Sequence, residues 1–92
     1  MNTISSYLVE FIGTFIFMYV IITTSSAIPI GVTLAAMIYF GGKISGGAFN
    51  PAVTLMLFLN KKINVASFII YLVVQFLAGF LAYGAYLMLK DK

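Results

Sequence analysis

Residues 51–59 read Pro-Ala-Val-Thr-Leu-Met-Leu-Phe-Leu, a segment apolar enough for a membrane and too short to cross one. As a helix rising about 1.5 Å per residue it reaches roughly 13 Å, less than half of a ~30 Å hydrocarbon core. Its helical start is well signalled. Asn50 is a strong N-cap residue, and Pro51 suits the first helical position because its missing N–H would go unpaired there anyway. Asn60-Lys61-Lys62-Ile63-Asn64 ends it. Just before it lies Gly41-Gly42-Lys43-Ile44-Ser45-Gly46-Gly47-Ala48-Phe49, and this glycine density predicts a breaker and not a helix. Such a short apolar helix either lies flat at the interface or enters the membrane and leaves by the same face. The second arrangement puts irregular backbone at membrane depth, where it survives only if protein buries it or it lines a wet cavity. Spacing alone leaves both open.

The rest of the chain asks for a bilayer. Of its 92 residues 63% are hydrophobic and 8% charged, more apolar surface than a soluble domain of this size can hide. Three longer apolar runs predict spans over about residues 6–22, 27–43 and 65–89. Thr23-Thr24-Ser25-Ser26 forms the first turn, with Ser26 as the expected cap of the second helix and Pro29 in its first turn. The second run is short if it stops at Phe40, so it is expected to continue into Gly41–Lys43. The first run is not expected to be a signal peptide. Residues 1–7 carry no Lys or Arg, Glu10 interrupts the run, and it is long enough to span.

Other functions are excluded by what is missing. The chain has no cysteine and no histidine, so neither disulfides nor a zinc or haem site are expected. No nucleophile–base pair is present, so no catalytic residue, metal or cofactor is assigned and an enzyme is not expected. The net charge of +3, all of it lysine, is too small and scattered for nucleic-acid binding.

Ser45-Gly46-Gly47-Ala48-Phe49-Asn50-Pro51-Ala52-Val53-Thr54-Leu55 resembles the first signature loop of aquaporins and glycerol facilitators, with Asn50-Pro51-Ala52 at their Asn-Pro-Ala box. Glu10-Phe11-Ile12-Gly13-Thr14-Phe15 is similar to the family's first helix, and Gln75 with Gly79 to its third. The resemblance covers nearly the whole chain but only the first of the family's two inverted repeats. It implies an all-α membrane protein of three transmembrane helices plus one re-entrant half-helix, a single aquaporin-like repeat over residues 1–92 with the half-helix at about 51–59. It also implies that Glu10 and Gln75 brace the loop by hydrogen bonds. The family's constriction position falls on Ile30, and the position of its filter arginine, mapped onto this box, falls on Val53. His often stands in the family where this chain has Lys43 and Ala48, so selectivity between water and glycerol does not carry over. Lys43 is expected to snorkel to water.

The physics of the box stands on its own. A helix N-terminus carries unpaired N–H donors and about half a positive charge, which repels cations at mid-membrane. The Asn50 side chain caps the helix with its oxygen and offers its amide hydrogens to a passing hydroxyl. Gly46, Gly47 and Ala48 lack bulk, so the carbonyls of the loop through Phe49 are expected to form a ladder of acceptors. Donors at the centre and acceptors leading to it suit a small neutral solute.

One half-helix reaches only the bilayer centre, so a pore is not expected from one copy. The leading expectation is a passive channel for water or small neutral solutes such as glycerol, formed by an antiparallel homodimer, with dimers clustering as tetramers of pores by resemblance. Lys43, Lys61 and Lys62 fall on the N-terminal face and Lys90 and Lys92 on the other, a bias too feeble to fix one orientation. The alternatives are half of a split channel with a separate C-terminal-half partner, and a non-conducting membrane interaction subunit. The small residues Gly42 and Gly46, and Ala78, Gly79, Ala82 and Ala85, suit close packing. The aromatics Phe11, Phe15, Phe17, Tyr19, Phe68, Tyr71, Phe76, Phe80, Tyr83 and Tyr86 are expected to face lipid or the interface.

Overall fold

The structure, a computed structural model, describes residues 1–92 as four α-helices without strands. They are α1 (Ile4–Thr24), α2 (Ala27–Ser45), α3 (Pro51–Leu59) and α4 (Val65–Leu89). α1, α2 and α4 are each long and apolar enough to cross a membrane. α1 is central: it packs against both α2 and α4, and α3 rests on α4. The chain enters α1 through a capping box. The Ser6 N–H donates to Thr3 Oγ1, and the Thr3 N–H donates to Ser6 Oγ, each at 3.1 Å.

Two boundaries differ from those the sequence suggests. α1 runs through Thr23 and Thr24, whose hydroxyls bond back to the carbonyls of Tyr19 and Val20. The turn shrinks to Ser25, in the left-handed region at φ 48°, and Ser26. Ser26 sits at the N-cap of α2 but makes no side-chain capping bond, contrary to expectation. α2 continues through Gly41–Lys43, as its length required, and on to Ser45, so the break that the glycine density suggested from Gly41 begins at Gly46. Gly41 lies within the helix where α1 comes close: a Cβ there would lie 2.7 Å from Val9 Cγ1.

The interior holds as many polar as apolar side chains, while the outside is apolar. Ser6, Glu10, Thr14, Ser45, Thr54, Ser67 and Gln75 are all buried, while Ile4, Ile28, Tyr39 and Phe80 are exposed. That distribution suits hydrocarbon as solvent, since buried polar groups can pair with one another where lipid offers them nothing. Two aromatics expected to face lipid are interior instead. Phe17 is buried, and Tyr71 is fully buried, its single hydroxyl hydrogen directed to Ser45 O at 2.7 Å with Met1 O also near at 3.1 Å. Tyr71 joins Ala48 and Ile63 in a small apolar cluster, with Tyr7, Val53, Leu57, Phe58 and Phe68 against it. Ala78 and Ala82 are also buried within the chain, so that small-residue face serves internal packing.

Candidate functional site

Between α2 and α3 the chain folds inward as a five-residue loop, Gly46–Asn50. Gly46 closes α2 in the left-handed region at φ 88°, its N–H donating to Gly42 O at 2.8 Å. Gly47 is also left-handed at φ 66°, and so is Phe49 at φ 58°. For Phe49 that conformation costs roughly 1–2 kcal/mol, so something must hold it. Its ring lies against Gly13 of α1, where any Cβ would overlap it. Its N–H is held by Glu10.

Glu10 lies on α1 and is fully buried. Its Oε1 accepts from the Phe49 N–H at 2.8 Å and from Gln75 Nε2 at 3.0 Å. Its Oε2 accepts from Ser45 Oγ at 2.6 Å and from the Ala48 N–H at 3.1 Å. Ser45 Oγ in turn accepts the Gly47 N–H at 3.1 Å. Four donors thus converge on one carboxylate with no cation beside it, an arrangement that makes a buried acid tolerable. Gln75 makes no bond to the loop itself. It links Glu10 to Thr54 of α3, donating to Thr54 Oγ1 at 2.6 Å. One network therefore joins α1, the end of α2, the loop, α3 and α4.

The loop is satisfied on one side only. The N–H groups of Gly46, Gly47, Ala48 and Phe49 all pair inward. None of their four carbonyls accepts a hydrogen bond from within the chain, although Gly47, Ala48 and Phe49 are buried. Buried unpaired carbonyls are rare in folded proteins, and water is the donor that ordinarily completes them.

Asn50 caps α3. Its Oδ1 accepts the Val53 N–H at 2.9 Å, and its backbone carbonyl accepts from the Thr54 N–H at 3.1 Å and the Thr54 hydroxyl at 2.9 Å. Its Nδ2 donates to nothing in the chain and Asn50 is half-buried, so the amide hydrogens are free. Pro51 and Ala52 are exposed beside it. α3 is about 13 Å long and ends at Leu59, next to the exposed Lys61 and Lys62.

The structure brings Glu10, Gln75, Gly46, Gly47, Ala48, Phe49 and Asn50 together. It does not do so for Ile30 or for the side chain of Val53. Ile30 is in the first turn of α2, fifteen residues and so about 22 Å along the helix from Ser45, and Val53 packs on the Ala48–Ile63–Tyr71 cluster. Lys43, in the last turn of α2, is exposed. Sequence reasoning missed three members of the network, Ser45, Thr54 and Tyr71, and the buried Thr14 beside it. A hydroxyl embedded in an apolar run is the signal they share.

Comparison with known proteins agrees with the geometry. The family model described as Major intrinsic protein matches residues 23–91. The glycerol uptake facilitator protein-like 6 of Lactiplantibacillus plantarum is 36% identical over 88 residues, covering 86% of this chain and 41% of that protein. The probable aquaporin PIP2-7 of Oryza sativa subsp. japonica is 33% identical, covering 82% of this chain and 33% of that protein. The aquaporin PIP1-3 of Arabidopsis thaliana is 32% identical, with 82% and 32% covered. The chain therefore spans about a third to two fifths of the length of these curated relatives. No solved structure matches it.

Proposed function

The chain belongs to the major intrinsic protein family, and we propose that it forms one wall of a passive transmembrane channel for water and small neutral solutes, the facing wall coming from a second copy inserted in the opposite direction. The one-sided pairing of the loop carries this reading. Its donors are spent inside the protein, and its carbonyls are left for an outside donor. The next free groups along the chain are the Asn50 amide hydrogens at the start of α3. A row of acceptors ending at a donor, beside the positive end of a helix, favours a neutral molecule that both donates and accepts. It disfavours a cation, which must approach that helix end.

The inverted copy follows from depth. α3 covers only about 13 Å, so one copy lines one half of the crossing. A copy turned over in the membrane supplies the other half and a second helix end opposed to the first. Lysine is divided three to two between the faces, with Lys43, Lys61 and Lys62 against Lys90 and Lys92, so neither orientation is strongly favoured. Ile30, in the first turn of α2, then lies toward the mouths, present twice, and makes them apolar, whereas Val53 packs inside each copy. Glu10 holds the loop, and Gln75 ties Glu10 to α3. The test is osmotic: liposomes holding only this chain should shrink faster than protein-free liposomes under a sucrose gradient. Equal rates would overturn the reading.

A further inference from the structure

The turn between α3 and α4 holds a lysine where its backbone asks for glycine. The Lys62 N–H donates to Leu57 O at 2.9 Å and the Lys61 N–H to Phe58 O at 3.0 Å, the pair of bonds that closes a helix through a left-handed residue. That residue is Lys61, at φ 60°. Glycine adopts this conformation without strain and lysine does not.

Lys61, Asn2 and Asn64 wall an open groove of about 500 Å³ whose remaining lining is Phe58, Leu59 and Ile63. Both amides are oriented by the backbone. Asn2 Oδ1 accepts the Asn64 N–H at 3.0 Å, and Asn64 Oδ1 accepts the Ser67 N–H at 2.8 Å. Each NH2 group is left exposed and without a partner in the chain. The polar side chains of the groove therefore have donors to spare, and one of them is a cation. No carboxylate competes for them. Glu10 is fully buried, and Asp91 lies beyond the far end of α4, a helix of 25 residues and so about 37 Å long.

Position selects the anion. The turn leads directly into α4, which is long and apolar enough to cross a membrane, so it lies where hydrocarbon gives way to headgroups. A second groove, of about 390 Å³ and lined by Met56, Leu57, Leu59 and Asn60, shares Leu59 with the first and extends its apolar side. We infer that the Lys61 groove holds the phosphate of an anionic phospholipid. Lys61 pairs with its charge, the Asn2 and Asn64 amides donate to its oxygens, and an acyl chain runs over Leu59 and Met56. A free anion in water would leave that apolar track unused. A zwitterionic headgroup would bring an ammonium for which the groove has no carboxylate.

Native mass spectrometry of the detergent-solubilised chain tests this, with phosphatidylglycerol, phosphatidylcholine and inorganic phosphate as probes. Phosphatidylglycerol should stay bound, phosphatidylcholine should not, and excess phosphate should not displace the bound lipid. Lys61→Gly removes the charge and relieves the turn, so Tm should rise while phosphatidylglycerol binding falls about 5-fold, the effect of one lysine at an anionic surface. Asn2→Asp keeps an oxygen for the Asn64 N–H and adds a repelling charge, so binding should fall by a similar factor. Lys43→Gln removes an exposed charge in the last turn of α2, outside the groove, and should leave binding unchanged. Equal losses in Lys43→Gln and Lys61→Gly would mean diffuse attraction and no site. Displacement by phosphate would mean a site for free anions. Either result overturns the inference, as does retention of phosphatidylcholine or unchanged binding in Lys61→Gly or Asn2→Asp.

Discussion

The Glu10 carboxylate accepts the backbone N–H of Phe49 at 2.8 Å, across 39 residues of chain. That bond fixes a non-glycine residue at a positive φ and turns the loop's donors inward. The loop's shape therefore depends on a side chain from another helix, and changes at Glu10 should act on the loop before the spans.

Glu10→Ala leaves the Ala48 and Phe49 N–H groups, Ser45 Oγ and Gln75 Nε2 with one acceptor fewer each. Losing buried partners costs about 1–3 kcal/mol for each unsatisfied group. The variant should insert and stay helical by circular dichroism, unfold at lower temperature in detergent, and lose most of its water flux. Wild-type flux in a folded Glu10→Ala protein would remove the loop from the conduction path.

Asn50 has two roles that one substitution separates. Asn50→Ser keeps a side-chain oxygen for the Val53 N–H but removes the amide donors, whereas Asn50→Ala removes both. Asn50→Ala should cost about 1 kcal/mol of stability and Asn50→Ser much less. Flux should fall in both. If the serine variant conducts like wild type, the amide hydrogens have no part in passing the solute.

Gly13 and Gly31 form a paired test of packing. A Cβ at Gly13 overlaps the Phe49 ring, while one at Gly31 meets nothing within 4 Å. Gly13→Ala should destabilise by about 1–3 kcal/mol through overpacking and reduce flux by displacing the loop. Gly31→Ala should stabilise α2 by up to about 1 kcal/mol, because alanine loses less backbone freedom in a helix. Thermal unfolding in detergent measures both. Equal effects at the two sites would contradict the ring contact.

Tyr71→Phe tests the support beneath the loop. The hydroxyl holds Ser45 O, at the end of α2, with Met1 O also near. Its loss should cost about 0.5–1.5 kcal/mol and leave the helices intact. The Ser45 and Gly46 amides should exchange with deuterium faster than in the wild type. Unchanged exchange would mean that the hydroxyl does not restrain the turn.

The fold was legible where the sequence changes character abruptly. Asn50–Pro51 marks the start of α3 because capping and a missing N–H are local properties, and Asn60–Lys62 marks its end for the same reason. The interior was harder to see. In a helix that is apolar all round, periodicity does not tell which face is inside, so Tyr71 and Phe17 passed for lipid-facing aromatics and Thr14 and Thr54 drew no notice. The break at Gly46 was misplaced for a different reason. Glycine density suggests loop, yet Gly41 is there to let Val9 and Phe49 approach a continuous helix, and only Gly46 and Gly47 use glycine's positive φ. Close approach is a tertiary fact with no local signature.

The central claim is that inverted copies of this chain face one another across a conducting path, and topology measured on conducting liposomes tests it most directly. Ser25→Cys, in the α1–α2 turn, and Asn60→Cys, after α3, lie toward opposite membrane faces. Each is reconstituted alone, checked for water flux, and labelled with an impermeant thiol reagent before and after the membrane is opened. The account predicts that each site labels partly from outside and completely only after opening. It also predicts that two lysines added beside Lys92 make labelling one-sided and abolish flux. Liposomes whose chains all label from a single side and still conduct water would contradict it.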